Sequence, residues 1–149
     1  MRITCALSAG VVGTALLLGL GGPCCAQAKS RSGCLAYEPD VVKLEGKLIT
    51  GTFPGPPNYE SIRKGDKAET YWLLDLSTPI CVDQDQKDPD LNAAQKDVRR
   101  VQLVIKPEFY KTNAALVGKQ VLATGTLFAG ITGHHHTPVL LTVTTLTEK

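Results

Sequence analysis

Residues 98–128 read VRRVQLVIK (98–106), PEFYKTNAALVGK (107–119) and QVLATGTLF (120–128), and this stretch decides the fold. In the first piece Val101, Leu103 and Ile105 fall on one face of a two-residue repeat, the signature of a strand with one side buried. The middle piece opens with Pro107, which suits a first helical position. Phe109, Tyr110 and Ala114 can form an apolar stripe, and Gly118 is placed to stop the helix. The third piece is rich in Val, Leu and Thr and reads as a strand again. A short helix is therefore enclosed between two strands.

Working outward, Val41–Phe53 (VVKLEGKLITGTF) reads as a strand with Gly46 at a bulge or bend. Tyr71–Leu76 reads as a second strand, followed by a turn at Thr78-Pro79 that delivers Cys81. Val139–Leu146 (VLLTVTTL) is the last. Between the first two strands, Pro54–Thr70 carries three prolines and two glycines and reads as a long loop. Between the second and third, Asp83–Asp97 is polar, a surface connector with a helical turn around Leu91 to Lys96. Its Asp83, Asp85, Asp88 and Asp90 do not make a calcium loop. Counted from Asp83, the sixth and twelfth positions are Asp88 and Ala94, where Gly and Glu are needed. Five strands with one short helix between the third and fourth is the order of an OB-like, partly open barrel, mostly β.

The chain begins MRITCALSAGVVGTALLLGLGGPCCAQA. A basic start, a short Gly-interrupted apolar run and the triplet Ala26-Gln27-Ala28 read as a secretory signal peptide over residues 1–28, not as a membrane span. The expected organisation is signal peptide 1–28, lead-in 29–40 and one barrel domain over 41–149. Cleavage removes Cys5, Cys24 and Cys25 and leaves Cys34 and Cys81. In an exported chain these two read as one disulfide. The loop they close spans 47 residues, and closing it in the unfolded chain stabilises by up to about 4 kcal/mol. Arg2 also leaves, so the formal charge of +2 falls to +1. Near-neutral charge argues against a nucleic-acid partner. After cleavage no stable membrane insertion is expected, and a periplasmic or secreted location follows.

All three histidines stand together in GHHHTP (133–138). If this stretch runs extended into the last strand, His134 and His136 face one side and His135 the other. Two imidazoles so spaced could share Zn or Cu, with a further ligand from Asp66, Glu69, Asp75 or Asp83. The other reading is structural: one imidazole bonds a backbone carbonyl and fixes the loop, with Thr137 and Pro138 setting the start of the strand. Catalysis ranks behind both, because no nucleophile elbow, zinc-protease helix or phosphate loop is present. The Pro-rich loop supplies Phe53 and Tyr59 in a stiff frame, either as contact residues or as a lid over one barrel end. Trp72 and Tyr71 are neighbours on a strand, so one ring points inward and one outward.

The phrases KLEGKL, YWLLDLSTPICV, LVGKQVLATGTLF and TGHHHTPVLLTV, spread from Glu38 to Leu146, resemble an exported bacterial domain family of unknown function. GHHHTPV is the most specific of them. The resemblance implies an exported OB-like domain with no assigned activity and no assigned catalytic residues. The preferred reading is an exported module that binds a small ligand or an envelope protein, without a cofactor, through Phe53, Tyr59, His134, His135 and His136. The alternative from another class is a metal protein holding Zn or Cu on His134 and His136, with or without hydrolytic activity.

Overall fold

A computed structural model describes residues 33–149. The expected signal segment, with Cys5, Cys24 and Cys25, lies outside the described residues. Five strands carry the chain: β1 (Val41–Pro54), β2 (Ala68–Val82), β3 (Gln95–Val104), β4 (Gln120–Ala129) and β5 (Val139–Glu148). Helix α1 (Pro107–Thr112) and a short 3-10 turn (Ala114–Leu116) lie between β3 and β4, with Gly118 at φ +88° ending that segment. The helix position and the strand order are those expected of an OB-like barrel.

Pairing runs right round the ring in the order β1, β2, β3, β5, β4. All contacts are antiparallel except β3 with β5. β1 is the strand that closes it, with Gly46 and Lys47 paired to both β2 and β4. At Gly46 a Cβ would come within 2.2 Å of the Asp75 carbonyl oxygen, so this crossing admits only glycine. The ring is closed, and neighbouring strands part only toward their ends: β1 and β2 beyond Gly46↔Leu76 at one end, β2 and β3 beyond Leu73↔Gln102 at the other. The paired register of β2 with β3 stops at Leu73↔Gln102, and beyond it β2 pairs with β1 alone, through Thr52↔Thr70 and Pro54↔Ala68.

Alternation along β1 buries Val42, Leu44 and Leu48 between exposed Val41, Lys43, Glu45 and Lys47. These meet Leu74, Val101, Leu103, Val121, Ala123, Leu127, Val139 and Leu141 in the barrel interior. Trp72 is the inward ring of the Tyr71–Trp72 pair and sits edge-on to Tyr110 of α1, centroids 5.0 Å apart. The lead-in is tied down by the disulfide between Cys34 and Cys81, by a bridge from Leu35 to Val82, and by the Glu38 N–H donating to the Leu127 carbonyl.

Three local expectations need correcting. The loop expected over Pro54–Thr70 is shorter, because Ala68, Glu69 and Thr70 already belong to β2 and pair with Pro54, Phe53 and Thr52. Thr78-Pro79 does not form a turn: β2 continues through it to Val82, and the strain of a proline in a strand appears as register shifts between Asp75 and Val82. Leu91 to Lys96 makes no helical turn, because β3 already begins at Gln95 and extends the sheet by three residues before Val98.

Candidate functional site

A second buried layer lies on the outside of the barrel. Cross-strand partners share a face, and the registers Phe53↔Glu69, Gly51↔Tyr71, Ile49↔Leu73, Leu73↔Gln102, Gln102↔Leu140 and Leu140↔Phe128 trace one stripe across all five strands. Leu73, Gln102 and Leu140 on this stripe are at most 2 % exposed, yet Leu73 and Leu140 stand apart from the interior cluster. The β4–β5 connector, residues 130–138, lies over this stripe, with Gly130 against Leu140 and the backbone of His134 and His136 on the Gln102 side chain.

That connector is not extended. It folds back in a turn closed by the His135 N–H donating to the Thr132 carbonyl at 2.9 Å. Gln102 is the clamp beneath it. Its side-chain amide donates to the His134 carbonyl at 2.8 Å, and its carbonyl oxygen accepts from the His136 N–H at 2.7 Å. The Gln102 backbone N–H donates to Thr137 Oγ1 at 2.9 Å, and that hydroxyl donates to the Val139 carbonyl at 2.6 Å. A buried glutamine with both ends of its amide used fixes the loop as a strand neighbour would.

The three imidazoles then separate by role. His135 faces Phe128, centroids 5.5 Å apart, and its Nδ1 accepts from the backbone N–H groups of Ile131 and Thr132 at 2.9 and 3.3 Å. This is the structural role expected of one histidine, except that it bonds amides where a carbonyl was expected. His136 lies flat on Phe53, centroids 3.9 Å apart and 6° from parallel, with its Nε2 buried and without a hydrogen-bond partner among the described residues. Burial holds the imidazoles of both His135 and His136 below the usual histidine range, because the charged form loses water.

His134 is exposed and sits in a polar network. Tyr71 donates its one hydroxyl proton to Glu69 Oε2 at 2.6 Å. The Tyr71 oxygen, 3.0 Å from His134 Nδ1, must therefore accept, and so must Glu69 Oε2 at 2.9 Å; Nδ1 carries the proton. In the neutral ring Nε2 is then an acceptor for the Tyr59 hydroxyl at 3.0 Å. Hydrogen bonds from Tyr71 and His134 hold the Glu69 carboxyl below its ordinary range. Burial first, and then the Glu69 carboxylate, push the Tyr71 phenol up. The arrangement can pass a proton between carboxylate, imidazole and phenol. It also joins the β1–β2 loop to the β4–β5 loop.

Tyr59 reaches His134 from a strained backbone, φ 59°, in the left-handed region. Asp66, only 5 % exposed, makes that possible: its Oδ2 accepts from the Glu60 and Ser61 N–H groups, both at 2.8 Å, and its Oδ1 from the Asn58 N–H at 2.9 Å. Those amide bonds, Ser61 and Asn58 foremost, hold the Asp66 carboxyl low. The Tyr59 ring lies over Gly133, where a Cβ would stand 3.0 Å from the ring and push the two loops apart.

The structure thus brings Phe53, Tyr59, His134 and His136 together, whereas His135 packs on Phe128 and joins His134 on the wall of a cleft beside the network. Glu69 and Asp66, considered above only as metal ligands, serve as a hydrogen-bond partner and a loop anchor. Tyr71 and Gln102 were not among the expected site residues. Tyr71 is two residues from Glu69 on a strand, so the pair had to share a face, and Gln102 is a polar residue inside the apolar run VQLV. Among the described residues no three or more His, Cys, Asp and Glu side chains gather as a metal ion would require. A metal on His134 would have to displace Tyr59 or the Glu69–Tyr71 pair from its nitrogens. Beside the network a cleft of about 310 Å³ opens at the end where β2 and β3 part. Tyr71, Gln102, Val104, Ile105, Tyr110 and His134 are among its walls.

A family described as a domain of unknown function (DUF4431) matches residues 100–147. The match runs from β3 to β5 and contains GHHHTPV, Gln102 and all three histidines, a narrower span than Glu38 to Leu146. No curated protein and no solved structure matches the chain.

Proposed function

We propose that this chain is an exported binding module whose ligand face is the patch formed by the β1–β2 loop, the β4–β5 loop and the cleft between the ends of β2 and β3. The observation that carries the reading is the junction of the two loops at His134, beside an open cleft. By analogy, in OB barrels these two loops flank the ligand surface. Ionised groups are scarce on the cleft walls, with Glu69 occupied by Tyr71 and His134. The ligand it suits is uncharged where it enters, with an apolar part for Val104, Ile105 and Tyr110 and a polar edge for Tyr71 and His134. The disulfide and the leading segment support export to an oxidising compartment; among the described residues no helix is long and apolar enough to cross a membrane.

The test is a titration of isotope-labelled protein with neutral saccharides and aromatic fragments, read by backbone amide shifts. Shifts confined to residues 53–71, 102–110 and 130–138, and lost in Val104→Glu, are the expected result. Ligands that shift only other surfaces, or none that shift this one, would overturn the reading. Mass analysis of material from the periplasm should give a chain beginning at Lys29; retention of residues 1–28 in the cytoplasm would refute export.

A further inference from the structure

The end of the barrel where β2 and β3 part leaves a strand edge beside the cleft. Residues Ala68, Glu69, Thr70 and Tyr71 of β2 are paired to β1 on one side and to no strand on the other. Across the gap, Val104 of β3 is paired to Thr142 of β5 and likewise has no partner toward β2. Ala68 and Thr70 are exposed, and Val104 is 38 % exposed. Unpaired edges of this kind are what other chains add to, because backbone N–H and C=O groups at strand spacing fit another extended backbone.

From this juxtaposition we infer that the face takes an extended peptide segment of a partner protein, added as a strand on Ala68–Tyr71. The inference rests on the binding reading above and names its ligand. A strand laid there sends alternate side chains to one side, so one apolar or aromatic side chain enters the cleft against Val104, Ile105 and Tyr110. The charges at the rim select its neighbours. Lys67 immediately precedes the edge and Lys106 immediately follows Ile105. Both are exposed, and no ion pair among the described residues engages either. Glu108 at the start of α1 is the acidic group in that stretch, and Glu69 is already bonded to Tyr71 and His134. Lys67 is in period-two phase with Tyr71, and Lys106 with Val104, so the segment that fits carries an acidic residue two positions from its apolar one.

The experiment titrates the protein with acetylated, amidated heptapeptides Thr-Asp-Val-X-Thr-Val-Thr, X being each apolar and aromatic residue in turn. Controls carry Lys for Asp, or N-methyl groups on alternate residues that remove the donors a strand needs. Expected are amide shifts at residues 68–71 and 104–105, at least ten-fold weaker binding of the N-methylated and Lys peptides, and a similar loss in Val104→Glu. Far-ultraviolet dichroism checks that this variant is folded; Lys106→Glu, on an exposed side chain, gives a second variant that should weaken the Asp peptides and strengthen the Lys ones. Equal binding of N-methylated peptides, or no binding of any peptide, overturns the inference. If saccharides or aromatic fragments still shift the cleft, the binding reading stands without it; if nothing does, both fall.

Discussion

The barrel interior and its outer roof are both buried, but they are ordered by different forces. Inside, Leu44, Leu48, Leu74, Val101, Val121, Leu127 and Leu141 pack apolar against apolar, and the order there comes from shape and from water excluded. Outside, residues 130–138 lie over Gln102 and Leu140. What positions them is a small number of polar atoms: the two ends of the Gln102 amide, Thr137 Oγ1 and His135 Nδ1. The interior is redundant and the roof is not. A loop held by a few directional bonds can change its partners without the barrel unfolding, which is what a ligand face needs.

The largest effect should come from the interior. Leu48 and Leu74 are register partners and fully buried, so Leu48→Ala should destabilise by about 2–5 kcal/mol, read as a lowered denaturation midpoint. A loss below about 1 kcal/mol would mean that the interior collapses around the cavity, and the contrast with the roof would weaken. Next is Asp66→Ala, which strips acceptors from three backbone N–H groups of the β1–β2 loop. Each group left without a partner away from water costs about 1–3 kcal/mol. Residues 58–60 are exposed, so these amides largely regain water in the variant and the total loss should stay at about 1–3 kcal/mol, smaller than for Leu48→Ala, with the amides of residues 58–61 exchanging freely. Gln102→Ala should unfasten residues 130–138 for about 1–3 kcal/mol. Hydrogen exchange should rise in that loop while β1 and β4 keep their protection. Equal loss of protection throughout would show that roof and interior are one cooperative unit.

The same division explains what the sequence made legible. Strand count, helix position and the Cys34–Cys81 pair followed from period-two alternation, Pro107, Gly118 and cysteine number, all local signals. The roof was harder, because alternation assigns one buried face per strand and β3 has two. Gln102 was readable only as polar and therefore outward, until the connector folded over it. His134 and His136 both reach Tyr71, but from a turn closed by the His135 N–H and not from the extended chain that the alternation assumed. Tyr59 depends on Asp66 holding a left-handed backbone, and no periodicity carries that information. The break in β2 at Thr78-Pro79 failed for a related reason: a proline marks a lost donor, and a strand with an irregular register tolerates one.

The smallest effect, and the one that separates the two regions most cleanly, is the response to mild acid. The interior has no ionisable group in its packing, apart from the phenols of Tyr37 and Tyr110 that burial pushes further up. The roof holds His135 and His136 with lowered proton affinity, through burial first. The unfolded chain therefore takes up protons before the folded one. Stability from these two groups is complete above the ordinary histidine value of about 6.5 and declines as pH falls below it. Glu69 and Asp66, also lowered, act in the same direction only below the ordinary carboxylate range near 4. Between about pH 6.5 and 5, loop protection at residues 130–138 should fall with the β1 and β4 amides unchanged, and His136→Asn should flatten that part of the profile. A decline equally steep in the variant would place the acid response elsewhere, and the roof would be no more pH-sensitive than the barrel beneath it.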